Sequence, residues 1–340
     1  MSGRIRRLVF AASIGCAFAH GAGAACKIGV VGELTVDTER NRAVTGGEIG
    51  GQPIKVLIDT GSSFSFIWED AAQRLHLPVN DMRGVQIYGI GGQARSFQTV
   101  VRQLRIGTFH AKDLSLVVIG ARPGRPSDAP ALVVGDDLFS RFSTEFDLAH
   151  GKIRLLRTDG CHVDEVPYWS KTYSVADLAR SDDLAPQIRS RVMINGKTID
   201  AVFDTGIRIS AITRRGAERA GVTPWLEGAP SAGKVGGVGS ATEESWIGTF
   251  ETFTVGDETV RHVSLRIADL FRADRVMATG SHIAHEVEGL PTMLIGCDFF
   301  LAHRMVVMSK ERKLVFTYNG GPIFQTMHTE HAGLDSTSPH

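Results

Sequence analysis

One stretch, used twice, constrains this chain more than any other. Leu57-Ile58-Asp59-Thr60-Gly61-Ser62-Ser63 sets a carboxylate at the end of an apolar run and follows it with Thr and Gly. Val202-Phe203-Asp204-Thr205-Gly206 does the same 145 residues later. The offset persists outside the tripeptide, as a duplicated lobe requires: Gly51 falls on Gly196, Ile54 on Ile199, Ser65 on Ser210, Ile67 on Ile212, Ala72 on Ala217 and Leu77 on Val222. Further on, Val133-Val134-Gly135-Asp136-Asp137-Leu138-Phe139 is matched by Leu294-Ile295-Gly296-Cys297-Asp298-Phe299-Phe300, with the offset grown to 161 by an insertion in the second copy.

A chain of 340 residues, 43% hydrophobic, has the length of roughly two domains and the apolar content to fill their cores. Basic and acidic residues balance, so there is no electrostatic footprint for nucleic acid. Residues 1–24 read as a secretory signal: Arg4, Arg6 and Arg7 form the charged start, Leu8 to Ala19 the apolar run, and Ala22-Gly23-Ala24 the cleavage site. That run is too short to span a bilayer, so no membrane span is expected in the mature chain. The expected location is periplasmic or secreted. Export permits disulfides, and of the three Cys left after cleavage, Cys26 and Cys161 would staple the first lobe while Cys297 stays a buried thiol.

From Cys26 to Leu156 the chain is short apolar runs broken by Gly, Asn and Asp, the pattern of an all-β lobe. Strands are expected at Ile54 to Ile58, Ser96 to Ile106 and Leu114 to Ile119, with a short helix at Glu69 to Leu75 and two closing strands from Phe146 to Leu156. Gly89-Ile90-Gly91-Gly92 is a hairpin tip. The first lobe takes residues 25–160 and a linker 161–167. The second lobe, 168–320, repeats the plan: a hairpin turns at Asn195-Gly196, a dipeptide that favours positive φ, and Arg214 to Ala220 matches the short helix. Gly236-Gly237-Val238-Gly239 matches the first tip, Lys313 to Tyr318 the closing strand, and Arg272 to Pro291 is the insertion. Residues 321–340 are expected to form a disordered tail.

Each Asp stands where an apolar strand stops, beside a Gly that lets the backbone turn and approach closely. If the lobes pack about an approximate twofold axis, the two carboxylates meet on it, and neither copy alone makes a site. Carboxylates in contact cannot both ionise cheaply. The charged member can take a proton from a water while the protonated one polarises a carbonyl, which is hydrolysis of an amide without metal, cofactor or covalent intermediate.

In these motifs the chain resembles the aspartic peptidases, and it is more similar to the retroviral (retropepsin) type than to the larger pepsin-like enzymes. The resemblance implies an all-β fold of two tandem acid-protease β-barrel lobes with pseudo-twofold symmetry, complete in one chain without a dimer. It implies that Asp59 and Asp204 are the catalytic pair, that Thr60 and Thr205 grip each other beneath them, and that Gly61 and Gly206 shape the loops. Gly135 and Gly296 would lie under those loops. Tyr88, Gly89, Gly91 and Gly92 on one side, and Gly237 and Gly239 on the other, would be flaps over an extended peptide or protein substrate, with Ser63 and Arg208 beside it. Ser62-Ser63 fits the family pattern, whereas Ile207-Arg208 replaces a small residue and a polar or acidic one. Arg208 is expected to favour the ionised pair, to read an acidic substrate group, or to obstruct the site.

A folded, non-catalytic module that binds peptides outside the cytoplasm is the alternative. His282-Ile283-Ala284-His285-Glu286 lacks the His-Glu-x-x-His order of a zinc helix, and no metal is expected. Gly61-Ser62-Ser63-Phe64-Ser65 is no serine-nucleophile turn, and Gly46 to Gly51 lacks the Lys of a phosphate loop.

Overall fold

The computed structural model describes residues 26–38, 40–82, 87–120, 125–180, 186–239, 241–271, 277–278, 284–285 and 290–324. Outside these lie the residues expected to form a signal, residues 325–340 of the expected tail, and most of the insertion, including His282, Ile283 and Glu286. Ile323 and Phe324, which fall within the expected tail, instead pack against the core.

Two closed six-stranded barrels carry the duplication. In the first, Val44–Ile49, Gln52–Ile58, Leu132–Val134, Phe66–Trp68, Phe109–Ile119 and Ser96–Ile106 follow one another round the wall, and the last pairs back on the first through Gly47 opposite Ile106. In the second the order is Arg189–Ile194, Lys197–Phe203, Met293–Ile295, Ala211–Thr213, Glu258–Ala268 and Thr242–Val255, closed by Ile194 opposite Phe253. Closure removes the unpaired edges that an open sheet would expose. The first hairpin of each barrel turns on matched positive-φ dipeptides, Gly50-Gly51 and Asn195-Gly196, where an ordinary side chain would be strained.

Alternation decides which residues fill the barrels. Along Ser96–Ile106, Ser96, Thr99, Val101, Leu104 and Ile106 are buried, a period near two with two slips, at Ser96 to Thr99 and at Val101 to Leu104. Short helices at Glu69–Arg74 and Arg214–Arg219 occupy matched places, and the strand expected from Leu114 begins earlier, at Phe109.

The closing strands depart from expectation. Ser143–Asp147 and Lys152–Asp159 form, with the turn at Gly151, but they join neither barrel. They enter a six-stranded sheet shared by both lobes, in the order Lys27–Thr35, Lys152–Asp159, Ser143–Asp147, His303–Met308, Lys313–Tyr318, Ser174–Asp177. The seam between the lobes is the antiparallel pair Ser143 to Phe146 against Met308 to Met305. The reason is that both faces of this sheet carry apolar residues that must be buried. Phe146, Ile153 and Leu155 point into the barrels' common core, and Leu156, Val306, Met308 and Val315 point the other way, where Val166, Trp169 and Tyr173 cover them. Phe146 and Phe300 meet edge-on across the seam with ring centroids 5.3 Å apart. Burying a large side chain of this kind is worth about 1.5–3 kcal/mol, so the lobes are held as one body. A disulfide joins Cys26 to Cys161, and Cys297 is a buried free thiol. No helix among the described residues is long and apolar enough to cross a membrane.

Candidate active site

Each Asp is placed by the strand before it and by the Gly segment that runs beside it. The Asp59 N–H donates to Val134 O (2.9 Å) and the Asp204 N–H to Ile295 O (2.8 Å). Below them the duplication is repeated atom for atom. Gly135 N–H donates to Ser65 Oγ, which donates to Asp137 (2.7 Å). Gly296 N–H donates to Ser210 Oγ, which donates to Asp298 (2.7 Å). Gly135 is required because a Cβ there would lie 2.6 Å from the Phe64 carbonyl. These bonds, partly buried in the first lobe and buried in the second, hold the two loops where the chemistry needs position.

The threonines cross between lobes. Thr60 N–H donates to Thr205 Oγ1 and Thr205 N–H to Thr60 Oγ1, both at 3.1 Å. Each hydroxyl then donates to the opposite strand end, Thr60 to Phe203 O (2.7 Å) and Thr205 to Ile58 O (2.8 Å). Both side chains are fully buried. The result is that the Asp loops face each other across the approximate twofold axis, with their carboxyls in mutual hydrogen-bond contact. Gly61 and Gly206 make that approach possible, since a Cβ on either would collide with the opposite carboxyl.

The two carboxyls are not equivalent. Burial raises the pKa of both above the ordinary carboxylate range, and Asp204 rises further because the Asp59 charge adds to burial. Asp59 is held back by its hydrogen bond with Asp204, by the N–H groups of Ser62 (3.0 Å) and Gly61 (3.1 Å), and by the positive charge of Arg42. Asp204 accepts from Gly206 N–H at 2.8 Å. The pair therefore keeps one proton where isolated carboxyls would have none, and its surroundings favour Asp204 as the holder.

A cleft of about 370 Å³ opens above the pair. Two hairpins roof it, one from each lobe: Ile87–Gly89 paired with Gly92–Ala94, and Lys234–Gly236 paired with the start of Thr242–Val255. Their tips bond to each other, Gly239 N–H to Ile90 O and Ala241 N–H to Gly91 O, both 3.0 Å. Gly89 and Gly237 line the cleft with Ile90 and Val238, whereas Gly91 and Gly239 lie at the contact between tips. Gly92 begins the returning strand, and the side chain of Tyr88 lies outside the described part. Ser63 lines the cleft.

Arg208 does not. Ile207 takes the cleft-facing place, and Arg208 lines a separate small cavity against the second-lobe wall, its carbonyl accepting the Asp298 N–H (3.2 Å). The cation that acts on Asp59 is Arg42, which sequence reasoning missed. Its Nε is buried and makes no hydrogen bond among the described residues. Gln187, also missed, lines the opposite part of the cleft and donates to Gly61 O (2.8 Å). A signal was present: Arg42 and Gln187 are 145 residues apart, so the duplication itself pairs them, one charged and one neutral.

A sequence model of the family described as "Aspartyl protease" matches residues 45–135 and 190–299, one region in each barrel. No curated protein matches the chain.

Proposed function

The chain belongs to the aspartyl protease family, and on that premise we propose that it is an endopeptidase cutting extended peptide or protein substrates with Asp59 and Asp204. The observation that carries this reading is the facing carboxyl pair, contributed by both lobes and fixed by the reciprocal threonine bonds. A module that only bound peptides would have no use for burying two carboxyls against each other, because burial and mutual repulsion oppose their charge.

In the proposed step Asp59, ionised, takes a proton from a water as the water oxygen bonds to the carbonyl carbon. Asp204 gives its proton to the carbonyl oxygen, which yields a neutral diol. Collapse returns a diol proton to Asp204, breaks the carbon–nitrogen bond and passes the Asp59 proton to the departing amine. The pair ends as it began. The flap tips close the cleft from above, and substrate entry requires the two bonds between them to open.

Two features support the retroviral-type reading: a flap from each lobe, and lobes each built on a single small barrel. For export, the support is the leader-like residues 1–24 and the Cys26–Cys161 disulfide, a bond that persists in oxidising compartments.

The test is digestion of an unfolded protein from acid to neutral pH by the chain and by Asp59→Asn and Asp204→Asn. Cleavage by the parent and loss in both folded variants is expected. An inert parent at every pH would transfer the reading to a peptide-binding module, and loss in only one variant would overturn the shared pair.

A further inference from the structure

The two walls of the cleft occupy equivalent places in the two barrels, and their differences can be read position by position. In the first lobe the wall is Leu57, Phe66, Ile119 and Val133, with Val117 packed against it. In the second it is Val202, Ala211, Ala268 and Leu294. The 145 and 161 offsets relate three of these pairs, and strand register supplies the rest. Phe66 lies opposite Val117 in a parallel pair, and Ala211 lies opposite Arg266 in the equivalent pair. Where the first lobe has a phenylalanine and a valine, the second has an alanine and an arginine. Ala211 and Arg266 line one small cavity.

Arg266 is 6% exposed. Its Nη1 donates to two neutral acceptors, Ala232 O at 2.9 Å and Ser245 Oγ at 2.5 Å. Its Nε is buried and makes no hydrogen bond, and no carboxylate pairs with it among the described residues. Burial lowers its pKa, the direction for a cation without a counter-charge. A buried, uncompensated charge is costly, and a bound group of opposite charge would offset that cost. Arg266 lines a cavity of about 30 Å³, together with Arg208, Ala211 and Leu294, and Ile90 and Ile207 stand between this cavity and the main cleft, lining both. The space admits a small polar group, and the planar fork of a guanidinium matches a carboxylate.

An extended peptide points successive side chains to opposite sides, so the residues flanking the scissile bond enter opposite walls. We propose that the second-lobe wall is a specificity pocket for an acidic side chain and that Arg266 reads it. Substrates then carry an apolar residue on one side of the scissile bond and Asp or Glu on the other. This rests on the cleft being a peptide site, as proposed above.

The test uses a peptide mixture of defined composition at pH above 5, where carboxylates are ionised, with cut sites read by mass spectrometry. Synthetic pairs differing only by Glu or Gln at the enriched position follow. The expected Glu-over-Gln ratio in kcat/KM is about ten- to a hundred-fold, the worth of a hydrogen bond to a charged group. In Arg266→Val, which restores the first lobe's residue, the ratio falls toward one. Arg266→Lys, retaining charge without the fork, gives an intermediate ratio and covers the case in which the valine variant does not fold. No acidic enrichment at either flanking position, or a ratio unchanged in the folded variants, overturns the inference while leaving the peptidase reading intact. If nothing is cut, binding of the same peptides to the Asp59→Asn chain decides. Tighter binding of the Glu peptide that is lost on adding Arg266→Val sustains the pocket while the peptidase reading falls, and equal binding of both peptides overturns the pocket.

Discussion

Thr60 and Thr205, 145 residues apart in the chain, each accept the other's backbone N–H at 3.1 Å with every atom of both side chains buried. The bond is reciprocal, so each threonine serves both lobes. Thr60→Ala removes the acceptor of the Thr205 N–H and the donor to Phe203 O at once, leaving two buried groups orphaned. Its expected cost is about 2–5 kcal/mol in urea unfolding, while Thr60→Ser, which keeps the hydroxyl, recovers most of it. Equal stability of the Ala and Ser variants would show that the crossing bonds contribute little.

Gly206 approaches the Asp59 carboxyl too closely for any side chain. Gly206→Ala is expected to move that carboxyl and to lower kcat/KM by about a hundred-fold or more, since displacements near 1 Å at a reacting group have that effect. Circular dichroism establishes that the variant is folded. Wild-type turnover in a folded Gly206→Ala chain would mean that the loops do not meet as closely as the structure has them.

Arg42 lowers the pKa of Asp59. Asp59 must be ionised to accept a proton from water, so activity rises as pH climbs through its pKa. Removing the positive charge raises that pKa. Arg42→Met is therefore expected to move the acid limb of the kcat/KM profile to higher pH, and Arg208→Met, whose residue lies outside the cleft lining, to leave that limb in place. The reverse outcome would return the electrostatic role to Arg208.

Asp136 is buried under the first Asp loop, and burial, reinforced by the charge of Asp137, raises its pKa from 3.8 to about 7. A folded-state pKa above the unfolded one means that the native state holds the proton more tightly. The stability this contributes is complete below about pH 4 and is lost as pH rises through about 7. At 1.36 kcal/mol per unit the loss is at most ~4 kcal/mol. Asp136→Asn has no proton to lose there. The difference between its urea midpoints and those of the parent should widen in the variant's favour from pH 4 to pH 8, and a constant difference would show that Asp136 does not titrate in that window.

The legible parts of the sequence are those fixed by local chemistry repeated twice. The Asn195-Gly196 turn, the strand from Ser96 to Ile106 and the short helices at Glu69 and Arg214 follow from alternation and turn residues, and each has its counterpart at the fixed offset. The meeting of Asp59 with Asp204 was legible because a half-site made twice has one symmetric way to be completed. Arg42 and Arg266 were not legible, because nothing in their neighbours along the chain marks a guanidinium that faces a cleft. For Arg266 the significance lies in Val117 standing at the equivalent register position.

By itself the sequence determined the duplication, the all-β lobes and the pair of Asp-Thr-Gly loops, since these depend on residue spacing and backbone preference. Tertiary structure alone decided that the closing strands leave their barrels for a shared sheet, that the flap tips bond to each other, and which arginine reaches the carboxyl pair. The physical reason is that a strand's burial pattern says how many faces must be covered, but not by which part of the chain. Likewise a charge acts through distance in space, which sequence separation does not measure.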